Sequence, residues 1–173
     1  IYQKFFLQIL LKFFDQTSLY ADWPIGKLIF LFYKLDIKLN SIKISQYTSE
    51  WNNQFQIESD SIKSAIEFTT IYIDHVGSTS IPGLASKPII DILISLNDWS
   101  LANKVVKKLE FLGYKVEEDL PDFPRFFLTK YDSVNYHIHL CKPDSTWAVD
   151  MKTFKSQLQQ DKTLCDSYVL LKE

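Results

Sequence analysis

His75-Val-Gly-Ser-Thr-Ser-Ile-Pro-Gly-Leu-Ala-Ser-Lys-Pro-Ile-Ile-Asp91 decides how this chain is read, because it sets a phosphate cradle just ahead of a carboxylate on a buried strand. Upstream, Ile71-Tyr-Ile-Asp-His-Val76 is β-rich and ends at Gly77, the residue that a tight strand exit requires. Ser78, Thr79 and Ser80 then offer hydroxyls and backbone N–H groups at an expected helix N-terminus, which is a ready anion site. Downstream, Pro88-Ile-Ile-Asp-Ile-Leu-Ile-Ser-Leu96 reads as a strand whose apolar run is broken by Asp91. A lone carboxylate there is costly to bury without a partner, and a metal ion is the candidate partner. The alternative is a structural acid held by a cap or an ion pair.

Working outward, residues 42–45 alternate and read as a short strand or an entry segment. Thr48 or Ser49 caps a helix that carries Trp51, Phe55, Ile62 and Ile66 on one face. Asp98 or Ser100 caps a second helix reaching Leu112, with Gly113 at the left-handed position after its end. Strands are expected over 114–117, 125–130 and 134–140, the first two separated by a Pro-punctuated loop. Residues 145–173 read as helical throughout, with Trp147, Met151, Phe154 and Leu158 on one stripe. The pattern predicts an α/β (α+β) domain, a mixed sheet flanked by helices with a helical C-terminal segment.

A chain of 173 residues suits one domain, and its net charge of −2 carries no electrostatic footprint for nucleic acid. Two cysteines, Cys141 and Cys165, are too few for a disulfide framework and fit a reducing cytosol. Arg125 is the single arginine among many lysines, and an Arg fork holds phosphate bidentately as Lys cannot. Residues 1–41 form an extension in which Phe5, Phe6, Ile9, Leu10, Phe13 and Phe14 crowd one face of an expected helix, opposite Lys4, Gln8 and Lys12. A second apolar run at 28–33 is too short to span a bilayer, which needs about 20 residues. The extension docks on the domain, lies on a membrane surface, or is translated from upstream of the true start. The first residue, Ile1, fits a fragment, a processed chain or an unusual start.

The residues Gly77-Ser78-Thr79-Ser80, Pro82-Gly83-Leu84 and Lys87-Pro88-Ile89-Ile90-Asp91, with Tyr47, Trp51 and Phe55 upstream, resemble the GrpB family of the nucleotidyltransferase-like superfamily. The resemblance covers residues 42–173, and the chain breaks off where members continue, so a C-terminal truncation is expected. It implies a Gly-Ser turn that holds a nucleoside triphosphate and strand carboxylates that hold divalent metal. Gly77, Ser78, Thr79, Ser80 and Lys87 are then nucleotide-binding candidates. Asp91 matches the first acid of an i, i+2 pair, but Leu93 stands at the second position. One Mg²⁺ (or Mn²⁺), held partly by substrate phosphates, fits a single carboxylate; a two-metal mechanism does not.

His137-Ile-His-Leu-Cys141 puts His137, His139 and Cys141 on one strand face. Asp91, His137 and His139 are therefore the expected metal ligands, with His139, which matches a family histidine, alternatively moving a proton. Cys141 reads as a small buried residue. Arg125 is a phosphate or leaving-group clamp, or else a surface ion pair. Together Asp91, His139 and Arg125 are the expected catalytic residues.

The first function these features support is metal-dependent transfer of a nucleotidyl group from an NTP to an unidentified hydroxyl acceptor, small molecule or protein. The second is a nucleotide- or phosphoester-binding module without turnover, linked by resemblance to coenzyme A metabolism. The third is a degenerate fragment. An acid restored at position 93 is expected to separate the first two by a gain of turnover.

Overall fold

A computed structural model describes residues 44–117 and 125–170. The expectations for residues 1–41, for the loop at 120–124 and for residues 171–173 lie outside the described residues. In chain order the elements are α1 (Glu50–Ala65), β1 (Ile71–Val76), a 3₁₀ turn (Ser78–Ser80), β2 (Ile89–Leu96), a 3₁₀ turn (Trp99–Leu101), α2 (Ala102–Phe111), β3 (Lys115–Val116), β4 (Arg125–Tyr131), β5 (Asn135–Cys141), α3 (Thr146–Gln160) and α4 (Lys162–Leu170). Contacts divide the chain into two compact units. Ile44–Cys165 carries the sheet, and the other, Ile1–Lys43 with Asp166–Glu173, is described only at the end of α4.

The sheet runs β1-β2-β5-β4-β3, with β2 and β5 parallel and every other neighbouring pair antiparallel. β2 is buried along nearly its whole length, which is why it reads as an almost unbroken apolar run. Strand alternation then sorts its side chains onto two faces. Ile90, Ile92, Ile94 and Leu96 join Ile138, Leu140 and Leu128 in the main core, closed by Trp51 and Ile62 from α1 with Ile66 just past its end, and by Val105, Val106 and Leu109 from α2. Asp91, Leu93 and Ser95 face the other way, where α3 lays Ala148 and Met151 over a smaller cluster of Val76, Leu93 and Cys141.

Local signals behave as their chemistry requires. Thr48 Oγ1 accepts from the Glu50 amide at 3.2 Å at the start of α1. Asp98 accepts from the Ser100 amide at 3.1 Å ahead of α2, and Gly113 takes φ +90° after it. Two expectations are corrected. The segment from 145 is two helices, because Asp161 leaves helical geometry (φ −113°, ψ 101°) and its carboxylate accepts from the Leu164 amide at 3.0 Å, capping α4. Residues 78–80 form a single 3₁₀ turn rather than opening a helix. Ser45 pairs with Ser86 as an isolated bridge, an entry segment tied to the loop ahead of β2.

Candidate active site

Register places the site as rows across the sheet. One row is Val76, Asp91, His137 and Thr129; the next is Asp74, Leu93, His139 and Phe127; the third holds Ser95, Cys141 and Arg125. Residues opposite one another on paired strands share a face. Asp91, His137, His139 and Arg125, distant in sequence, thus meet beneath α3.

Asp91 is the hub. Its Oδ1 lies 3.5 Å from His137 Nδ1 and 3.6 Å from His139 Nε2. Both separations are long for hydrogen bonds, so the rings bias the carboxylate while leaving it acceptor capacity. Burial by itself raises the Asp91 pKa. The N–H groups of His137 and His139 outweigh it and hold the carboxyl well below the usual carboxylate range. The side chain keeps 25% of its surface exposed.

Tutors of protonation flank it on both sides. Arg125 Nη1 sits 3.2 Å from His139 Nδ1. A guanidinium only donates, so Nδ1 accepts, and the neutral ring carries its proton on Nε2, facing Asp91. Burial first, opposed by Asp91 and assisted by Arg125 and His137, lowers the His139 pKa, which suits this neutral form. Arg125 also lies 3.9 Å above the Trp147 ring, and His139 stacks on Phe127 at 5.1 Å. The guanidinium is therefore held between Trp147 of α3 and His139 of β5, a position that sequence spacing alone does not reveal.

Gly77 explains why the cradle abuts the acid. It adopts φ +70°, ψ −175°, a region essentially reserved for glycine. A Cβ there would overlap Asp91, lying 2.9 Å from its Cγ. The strand exit must be glycine for the carboxylate to sit against the turn. The hydroxyls of the turn are partly committed inward: Thr79 Oγ1 donates to the Ile89 carbonyl at 3.1 Å and Ser80 Oγ to the Gly77 carbonyl at 2.7 Å. Lys155 of α3 donates to the His75 carbonyl at 2.9 Å, closing the helix onto the end of β1. Lys87 is half-buried on the loop ahead of β2.

Asp74 and His75 diverge. Asp74 faces α3 and pairs with Lys152 at 2.9 Å. His75 points to the opposite face, stacked 4.8 Å from Phe55, with its ring nitrogens 3.2 Å from Asn52 Oδ1 and 3.1 Å from Thr79 Oγ1. Burial, then the charge of Lys155, pushes its pKa down to about 4 against the opposing pull of Asp91. It buttresses the turn from behind rather than lining the site.

The expected metal ligands are Asp91, His137 and His139. Among the described residues no group of three or more His, Cys, Asp or Glu side chains is placed to hold a metal ion. Both rings stand beside Asp91, His137 Nδ1 at 3.5 Å and His139 Nε2 at 3.6 Å from its Oδ1. Sequence reasoning also missed Phe127, Tyr131 and Trp147 as site neighbours. The period-2 alternation from Arg125 through Phe127 and Thr129 to Tyr131 was the available signal for the strand residues.

The GrpB protein family profile matches residues 41–173. The chain belongs to the GrpB family. Among its relatives, a UPF0157 protein of Halalkalibacterium halodurans is 30% identical over 132 residues, 76% of this chain and 68% of that protein. The crystal structure of the conserved GrpB protein from Enterococcus faecalis superposes with a TM-score of 0.67 at 25% identity, covering 74% of this chain and 79% of that one. The Cid1 poly(U) polymerase with bound Mg 3′-dATP superposes at 0.53 and 16% identity over 82% of this chain and 46% of that one, a likeness of nucleotidyltransferase-type fold. No helix among the described residues is long and apolar enough to cross a membrane.

Proposed function

We infer that this GrpB chain transfers a nucleotidyl group from a nucleoside triphosphate to a hydroxyl acceptor with the aid of Mg²⁺ or Mn²⁺. The observation that carries the reading is the seat of Asp91. An ionised carboxylate, kept so by two imidazoles, abuts a glycine turn at the exit of the neighbouring strand. Mg²⁺ commonly takes one or two protein carboxylates and fills its shell with water and substrate phosphates, so Asp91 alone fits one ion. Bound there, the ion would neutralise phosphate charge. Asp91 holds its charge, His139 keeps Asp91 ionised, and Arg125, pinned by Trp147, stands within reach of anionic oxygens.

The test is thermal melting with each NTP, with and without Mg²⁺ or Mn²⁺, beside Asp91→Asn. A ligand at 100 times its Kd stabilises by about 2.7 kcal/mol. A metal-dependent shift that Asp91→Asn abolishes is expected, and a cooperative melt with no shift for any nucleotide sinks the reading. A second reading, nucleotide binding without turnover, draws on Leu93, fully buried beside Asp74 and His139 where a second acid would stand. Nucleotide-dependent stabilisation without any pyrophosphate release would favour it.

A further inference from the structure

The function inferred above lacks its acceptor, and His137 already has a hydroxyl on it. Tyr131, the last residue of β4, is 60% exposed, yet its Oη lies 3.0 Å from His137 Nε2. The other ring nitrogen of His137 faces Asp91 Oδ1 at 3.5 Å. An ionised carboxylate only accepts, so Nδ1 bears the ring proton and Nε2 offers its lone pair to the phenol. Tyr131 Oη thus meets one ring nitrogen of His137 at hydrogen-bond distance, while the other ring nitrogen faces Asp91 across 3.5 Å. A hydroxyl, a base and a carboxylate that orients the base form the usual constellation of an activated nucleophile.

Packing holds the base in this pose. Thr129 pairs opposite His137, which puts Tyr131, two residues on, on the same face. The Tyr131 ring meets His137 edge-on at 5.8 Å and 85°, and Phe127 meets it at 5.2 Å and 77°. Clamped between two aromatic rings, the imidazole has little freedom to turn toward another partner. Neighbouring hydroxyls are spent elsewhere: Thr79 donates to the Ile89 carbonyl, Ser80 to the Gly77 carbonyl and Thr129 to Glu117 Oε1. An external hydroxyl seeking His137 Nε2 would first have to displace Tyr131.

We propose that Tyr131 is itself an acceptor, so that the protein nucleotidylates its own tyrosine from a nucleoside triphosphate. The proposal rests on the nucleotidyltransferase reading above. Tyr131 Oη bonds to the α-phosphorus as the bond from that phosphorus to the bridging oxygen breaks. Pyrophosphate leaves with the electron pair, and the phenolic proton passes to His137 Nε2. Asp91 then faces an imidazolium across 3.5 Å. The product is a phosphodiester on an exposed side chain, which proteases and mass spectrometry can reach.

The experiment incubates the full chain with each of ATP, GTP, CTP and UTP plus Mg²⁺ or Mn²⁺, and reads intact mass and the modified peptide. Nucleotide-dependent melting is measured on the same samples. The expected result is a single added nucleotidyl mass on Tyr131. Tyr131→Phe, still melting cooperatively, loses the adduct, and His137→Asn forms it about 100-fold more slowly, the scale of a lost general base. A nucleotide-dependent melting shift with no adduct overturns the proposal and leaves the transferase reading standing. An adduct that survives in Tyr131→Phe also overturns it. No melting shift with any nucleotide removes the site itself, and the proposal with it.

Discussion

The two faces of one sheet do different work with the same backbone. On the α1–α2 side, Ile90, Ile92, Ile94 and Leu96 from β2 are fully buried in a continuous apolar core, and a buried acid there, Glu58, is met by Lys130 at 2.6 Å and by the Tyr114 hydroxyl at 2.9 Å. On the α3 side, the alternate residues of the same strand are Asp91, Leu93 and Ser95, and the apolar cluster is small. There the two imidazoles stand 3.5 and 3.6 Å from a partly exposed carboxylate, Asp91. Satisfied polar groups lock a core, whereas a carboxylate with spare acceptor capacity can take a ligand. The difference teaches that stability and chemistry are divided by strand parity, not by region of the chain.

The largest expected effect tests that division at its weakest point. Leu93 lies on the chemical face but is packed as core, with no exposed surface, among Val76, Cys141, Ala148 and Met151. Leu93→Asp is therefore expected to cost about 5 kcal/mol in urea unfolding, from lost packing plus a buried unpaired charge, rather than to restore an active pair. A loss below about 1 kcal/mol would mean that α3 lifts easily and that the chemical face is not packed at all.

A smaller effect comes from the other face through pH. His75 is held neutral, its pKa moved from 6.5 to about 4, first by burial and then by Lys155. Because the folded value is depressed, stability is complete above pH 6.5 and drains as pH falls toward 4, since the unfolded chain takes up the proton first. The loss is on the order of 3 kcal/mol across that window. His75→Gln should flatten the slope between pH 6.5 and 4 in denaturant melts, and an unchanged slope would move the sensitivity elsewhere.

The smallest effect concerns Arg125. Arg125→Lys keeps the charge but loses the guanidinium contact with the Trp147 ring and the fixed donor to His139, so a loss of about 1 kcal/mol in melting is expected. If Lys instead matched Arg in both stability and nucleotide-dependent shift, the guanidinium plane would have no role in ordering this face.

Legibility followed the range of the forces. Glycine and capping signals act within a few residues, so Gly77, Gly113 and the Asp98 cap could be read directly. The strand carrying Asp91 was legible because burial on both faces writes an apolar run. Asp161 was not, since a single Asp inside a helical stripe gives no period change while its carboxylate caps the next helix. That His75 and Asp74 take opposite faces follows from strand alternation, but which face carries the site was settled only by pairing with β2.

Residue types, strand period and the family resemblance brought Asp91, His137, His139 and Arg125 forward as candidates, since charge, imidazole and a lone guanidinium are properties of side chains. Which nitrogen faces which oxygen, that Leu93 is core, and that Tyr131 reaches His137 were decided by inter-strand register and by the seating of α3. Those are long-range choices, made only when β2, β4 and β5 pair and the helix buries what remains, so no local pattern in the chain can announce them.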